Sequence, residues 1–269
     1  MTTLATAPAT PDAGFRHTLH AEWIKLRSLR STWYTLACLV VVGLGITVLS
    51  MSSAGELYAS ASAAEQQAWD PTNLSLRSYL VAQLIIGVFG ILIVTSEYAT
   101  GLIQPTLAAT PRRYRLLTAK LVVTTGIAVV AGQALMFAAF LIGQTMLAAQ
   151  GVPNAALGDP GVLSAVAGGG LYLAAIALLA TGLGTLIRAT AGALATLVGI
   201  IFLVPALSRI FPFWLQWLID LWPSVGGAAV LTTVPDPDYP HPWVNLGGMC
   251  LGIAFVLVAA FLTFRRRDV

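Results

Sequence analysis

The chain has 269 residues, of which 9% are charged and 57% are Ala, Val, Ile, Leu, Met, Phe, Trp, Tyr or Cys, and its formal net charge is +3. Soluble domains carry roughly 25% charge, and a globule of this size lacks the interior to hide so much apolar surface. The composition reads as an all-α integral membrane protein. Lys25 and Lys120, the two lysines, lie outside any G-x-x-x-x-G-K-[ST] frame, which excludes ATP hydrolysis by a phosphate-binding loop. His17, His20, His241, Cys38 and Cys250 show no metal-ligand spacing. No metal is expected. Both cysteines lie in apolar runs and are expected to be buried free thiols.

Residues 1–14, rich in Ala, Thr and Pro, read as a disordered tail. In 15–32, Phe15, Leu19, Trp23 and Leu26 recur on one helical face, predicting an amphipathic helix along the membrane surface. Trp23 suits the headgroup level. A span needs about 20 apolar residues. Segments 33–51, 78–96, 119–148, 163–187, 190–211 and 244–264 meet that demand, giving a six-helix domain over 33–264. The third is long enough to project or tilt.

Between the second and third spans runs EYATGLIQPTLAATPRRYRLLTAK. It opens on Glu97, is broken at Gly101 and Pro105, and stops at Pro111 before Arg112, Arg113 and Arg115. Glu97 could cap a helix or pair with one of these arginines. Leu102, Ile103, Leu107 and Ala108 form an uncharged stretch that the membrane surface or another protein should cover.

Between the fifth and sixth spans, PFWLQWLIDLWP places Trp214, Trp217, Leu218, Leu221 and Trp222 on one helical face ended by Pro223. The following VGGAAVL, with Gly226 and Gly227, is too short to span. The pattern predicts that 212–231 folds as a re-entrant helical hairpin dipping into the outer leaflet. A basic tail, 265–269, closes the chain.

Twelve Lys and Arg residues fall in the N-terminal segment, the 97–120 connection, the turn at Arg188 and the tail, whereas only Arg77 and Arg209 fall on the opposite side. The positive-inside rule makes the richer side, with both termini, cytoplasmic. The pI of about 9.1 is then a matter of topology, and no nucleic acid is expected as a partner. No Asp, Glu, Lys, Arg or His sits near a span centre, which argues against a proton-coupled carrier or an intramembrane hydrolase. Gln83, Gln133 and Gln144 could line a pathway or hydrogen-bond a neighbouring helix.

Three stretches carry a family resemblance: AEWIKLRSLRSTWYT before span one; SEYATGLIQPTLAATPRRYRLLTAK; and LIRATAGAL, LWPSVGGAAVL and the closing RRRD taken together. The chain resembles the permease subunit of a type-two ATP-binding-cassette transporter, in a form common among actinobacteria. The resemblance implies a multi-pass plasma-membrane protein, an exporter in function, that pairs with a second permease as a homodimer or heterodimer. The ATPase would be a separate subunit, with ATP and magnesium held there. It further implies that 97–112 is the coupling helix, with Glu97 paired to a basic group and Gly101, Thr106, Leu107, Arg112 and Arg113 at or near the ATPase. The helix carrying Trp23, Lys25 and Arg27 would be the family's connecting helix. The segment of Trp214, Trp222, Pro223, Gly226 and Gly227 would be a lid over the exit, and spans two and five of two copies would form the pathway. A non-transporting membrane partner, an immunity or sensor subunit, is the alternative.

Overall fold

A computed structural model describes residues 14–109, 112–212, 214, 216–234 and 239–266. Apart from Gly14, the expected N-terminal tail lies outside the described residues, as do 267–269 of the basic tail. Among the described residues 82% are helical and no strand occurs. Six helices are long and apolar enough to cross a membrane: Arg30–Ser60, Pro71–Ala99, Arg113–Ala149, Val162–Ile187, Thr190–Leu207 and Pro242–Arg265. We number them spans one to six. Span three, at 37 residues, is about 55 Å long and outreaches a hydrocarbon core of about 30 Å.

Span four is the hub. Its central window is 72% buried, and it packs on spans two, three, five and six. Small residues make this possible. A Cβ on Gly132 of span three would stand 2.9 Å from the Gly170 carbonyl oxygen, and one on Gly90 of span two would strike the Ala177 carbonyl. Backbones meet directly at these crossings, where dispersion contacts rather than the hydrophobic effect hold helices together in lipid.

The three glutamines, Gln83 and Gln144 buried and Gln133 half-buried, join elements. Gln83 accepts from the Tyr172 hydroxyl at 2.5 Å, and both side chains are fully enclosed. Gln133 donates to the Ala167 carbonyl at 2.8 Å. Gln144 donates to the Pro71 carbonyl and the Ser75 hydroxyl, each at 2.9 Å, and accepts from the Ala155 N–H. All three therefore act as interhelical glue.

Spans one, five and six are buried over only 22%, 17% and 22% of their central windows. Cys38 and Cys250, on spans one and six, are free as expected but exposed on the bundle surface, not buried. An apolar neighbourhood in a membrane sequence is satisfied by lipid as readily as by protein, so apolar flanks do not imply burial within the fold.

Span five is irregular. Its α-helix Thr190–Val198 passes into a π-helical stretch, Gly199–Leu203, and resumes at Val204–Leu207 with Pro205 near its start. Proline withdraws one backbone donor, and wide turns of this kind leave carbonyls free for other partners.

Candidate functional site

At the basic end of the bundle, span two closes with Ala99 and Thr100, and Gly101 follows at φ +72°. That left-handed conformation suits glycine and stops a helix abruptly. The next helix is short, Ile103–Ala109. The expected helix over 97–112 is therefore divided: Glu97 lies in the last turn of span two, and the loop helix is a separate unit. Ile103 anchors it, packing with Leu116, Leu117, Leu121 and Phe264. Leu102 is exposed, and it forms a groove with Pro105, Thr106 and the first helix. The Leu107 side chain lies outside the described residues.

The first helix is Phe15–Ser28, and span one begins at Arg30 after a bend at extended Leu29, so the connecting helix is shorter than the 15–32 expected. Its buried residues are Thr18, Glu22 and Leu26. The expected apolar face is thus corrected. Phe15 and Trp23 are exposed, and the stripe against span three is centred on an acid.

Glu22 has a partner there. The Lys120 ammonium, in span three, donates to its Oε2 at 2.7 Å and also to Glu97 Oε1. The Lys25 ammonium donates to the same Glu97 oxygen. Both lysines of the chain thus converge on one carboxylate, joining the first helix, the end of span two and the start of span three. Glu22, Glu97 and Lys120 are 3%, 3% and 2% exposed. A lone buried charge is very costly, but two acids facing two bases leave the cluster neutral overall.

Glu97 Oε2 has no hydrogen-bond partner among the described residues. Nearby, the Arg188 guanidinium lies 5.1 Å from the Tyr98 ring centroid, a cation–π contact. Arg188 itself adopts φ 61° as the cap of span four. Arg112 and Arg113 stand at the start of span three, and each is engaged in an interaction.

Glu97, expected at the coupling helix, and Lys25, expected on the connecting helix, are brought together. Gly101 shapes the stop, and Thr106 faces the groove. Trp23 and Arg27 point away from the cluster, lining a trough on the other side of the first helix. Sequence reasoning missed Glu22 and Lys120. A signal did exist: apart from Glu97 and the terminal Asp12 and Asp268, Glu22 is the one acid on the basic side.

The opposite end differs from expectation as well. Among the described residues of 212–222 the α-helix is Gln216–Asp220, and Trp214 and Trp217 are exposed. Trp222 instead turns inward, its indole N–H donating to the Ile200 carbonyl at 2.5 Å, while the Ser224 hydroxyl donates to the Ile201 carbonyl at 2.5 Å. Both acceptors belong to the π-helical stretch.

Pro223 and Gly226 are buried, and a 3-10 helix, Gly227–Leu231, lies wholly buried against spans four and six. A Cβ on Gly168 would meet Val230 at 2.5 Å, and one on Gly227 would meet Met249 at 2.6 Å. Gly168 is about 9 Å along span four, so the segment returns well inside the bundle. Asp70 pins its far end, accepting from the Thr233 N–H at 2.7 Å and the Thr233 hydroxyl at 2.8 Å.

Among curated proteins none matches the chain. The ionic cluster, the loop helix, spans one to four and all but the last residue of span five fall within residues 18–206, the stretch matched by the model of the ABC-2 family transporter proteins, and since that match covers well over half of the sequence the chain belongs to this family.

Proposed function

We propose that this transporter permease is the pathway-forming membrane subunit of an exporter, driven by a separate ATP-binding-cassette ATPase that docks at the basic, cytoplasmic end. ATP and magnesium are held on that partner, and two permease chains, identical or not, assemble around the pathway. The observation that carries the reading is the convergence of Lys25 and Lys120 on Glu97.

A push on Ile103–Ala109 reaches span three through Ile103, and reaches span two through the single left-handed link at Gly101. The ion pairs then oblige the first helix and spans two and three to shift as one body. A linkage that transmits displacement needs such a stiff joint, and each state of the ATPase then favours a different packing of the spans. The lid role of 222–231 fits the same scheme. Its side chains hold the π-helical stretch of span five, a weakly buried span suited to a movable wall.

The test combines Arg112→Glu, at the exposed start of span three, with Glu97→Gln, which keeps shape and an oxygen acceptor. Both variants are expected to insert and express normally while losing transport and substrate-stimulated ATP hydrolysis by the co-purified ATPase. Normal coupling in both would reduce the loop helix to a surface anchor. Normal insertion with no associated ATPase, in the parent chain too, would favour the non-transporting partner.

A further inference from the structure

The cluster uses one flank of the first helix, and the other flank is open. There Trp23 stands between two grooves that share Gly126 and Ile127 of span three as a floor. One groove, of about 640 Å³, continues along Trp33 and Val130 and is bordered by Arg27. The other, of about 400 Å³, is bordered by Arg16 and His20. Each is on the scale of ligand pockets, and the walls are apolar apart from these basic groups and Thr32. The Trp33 indole donates to the Arg27 carbonyl at 2.9 Å, fixing the bend that frames the larger groove.

Neither Arg16 nor Arg27 has a carboxylate partner among the described residues, whereas every acid near the first helix is spent on the lysine cluster. Gly126 is exposed in mid-helix, and a Cβ there would touch nothing within 4 Å. Its lack of a side chain therefore serves no helix crossing. It leaves the trough floor open.

We infer that this trough binds one anionic phospholipid from the leaflet at the basic end, its two acyl chains straddling Trp23 and its headgroup held between Arg16 and Arg27. The shape supplies two apolar grooves, one on each side of Trp23, over a shared floor of Gly126 and Ile127, which accommodates the two chains of a diacyl lipid. The unpaired arginines supply charge complementarity to a phosphate diester bearing no compensating ammonium. Basic pockets beside transmembrane helices recognise such headgroups, each cation adding to the attraction. Tryptophan at the dividing wall suits the headgroup boundary. The lipid would fill the space between the first helix and span three, and so would prop the outer flank of the element that carries Glu22 and Lys25.

The experiment uses the full chain purified in mild detergent. Retained lipid is read by native mass spectrometry, after exchange with phosphatidylglycerol or with phosphatidylcholine of identical acyl chains. One phosphatidylglycerol per chain is expected, with phosphatidylcholine retained about tenfold less. Arg16→Gln with Arg27→Gln should abolish the preference between headgroups, and Gly126→Trp should abolish retention of both lipids. Unaltered thermal unfolding of lipid-free Gly126→Trp would show that the variant folds. Equal retention of the two lipids by the parent chain would overturn the proposal, as would full retention by folded Gly126→Trp. Efficient disulfide cross-linking between two copies at Val130→Cys, in a background lacking Cys38 and Cys250, would overturn it in favour of a second chain covering the trough. None of these readouts depends on the ATPase, so the lipid site can fail while the coupling scheme stands.

Discussion

Lys120 carries its ammonium into a position 2% exposed, where Glu22 and Glu97 both accept from it. Removing one member of a buried pair leaves an uncompensated charge and costs about 3–5 kcal/mol. Lys120→Met is therefore expected to lower the thermal midpoint of the detergent-solubilised protein sharply, and Lys120→Met with Glu97→Gln to recover part of the loss. Lys25→Ala should cost far less, because its side chain is 28% exposed and Glu97 keeps Lys120. Equal midpoints for the two single lysine variants would show that the charges are solvated.

A second residue-scale effect is pH-dependent. The Ser62 backbone N–H and hydroxyl both donate to Glu65 Oε2 at 2.8 Å, holding this carboxyl below its usual range, the backbone bond being the larger cause. A depressed folded value means that the contribution to folding is complete above the unfolded value of about 4.5 and is lost as pH falls through the folded one. The protection of the amides of residues 63–67 relative to their intrinsic exchange should fall on acidification below that value, and the protection in Glu65→Gln should be insensitive to pH there.

At the scale of elements, the joint between span five and the 222–231 segment rests on two side-chain bonds to π-helical carbonyls. Each neutral hydrogen bond contributes about 1 kcal/mol. Trp222→Phe with Ser224→Ala should increase exchange of the Gly199–Leu203 and Gly227–Leu231 amides together, while leaving span four protected. Exchange confined to one of the two segments would show that they are not coupled. Gly168→Leu tests the other wall. Val230 already occupies the space of its Cβ, so the 3-10 helix must be expelled, and a cysteine at Ala229 should become reactive to a soluble thiol reagent.

At the scale of the whole molecule, the basic bias predicts that both ends of a six-span chain lie on the cytoplasmic side. Cys38 and Cys250 are exposed, so both must be replaced before labelling. Single cysteines at Glu65 and Asp159 should then react with an impermeant reagent in intact cells, and one at Ser28 should not. Labelling at position 28 would invert the topology.

The existence and number of spans were legible in composition and hydropathy, because a bilayer demands long apolar runs whatever they pack against. The stop at Gly101 was visible too, since a local backbone conformation depends on a local residue. What the sequence alone could not supply is which face of each helix meets protein. Lipid and protein interior are equally apolar, so the periodicity of Phe15, Leu19, Trp23 and Leu26 did not reveal that Phe15 and Trp23 are exposed while Leu26 is buried in the bundle beside Glu22. For the same reason Cys38 and Cys250 face out of the bundle. From its place at the end of span two Glu97 could cap or pair, and only the family resemblance implied a basic partner; which partners it has was decided by tertiary structure. Lys25 and Lys120 lie 72 and 23 residues away, and only the packing of the first helix on span three brings two acids and two bases into one desolvated site where each charge stabilises the others.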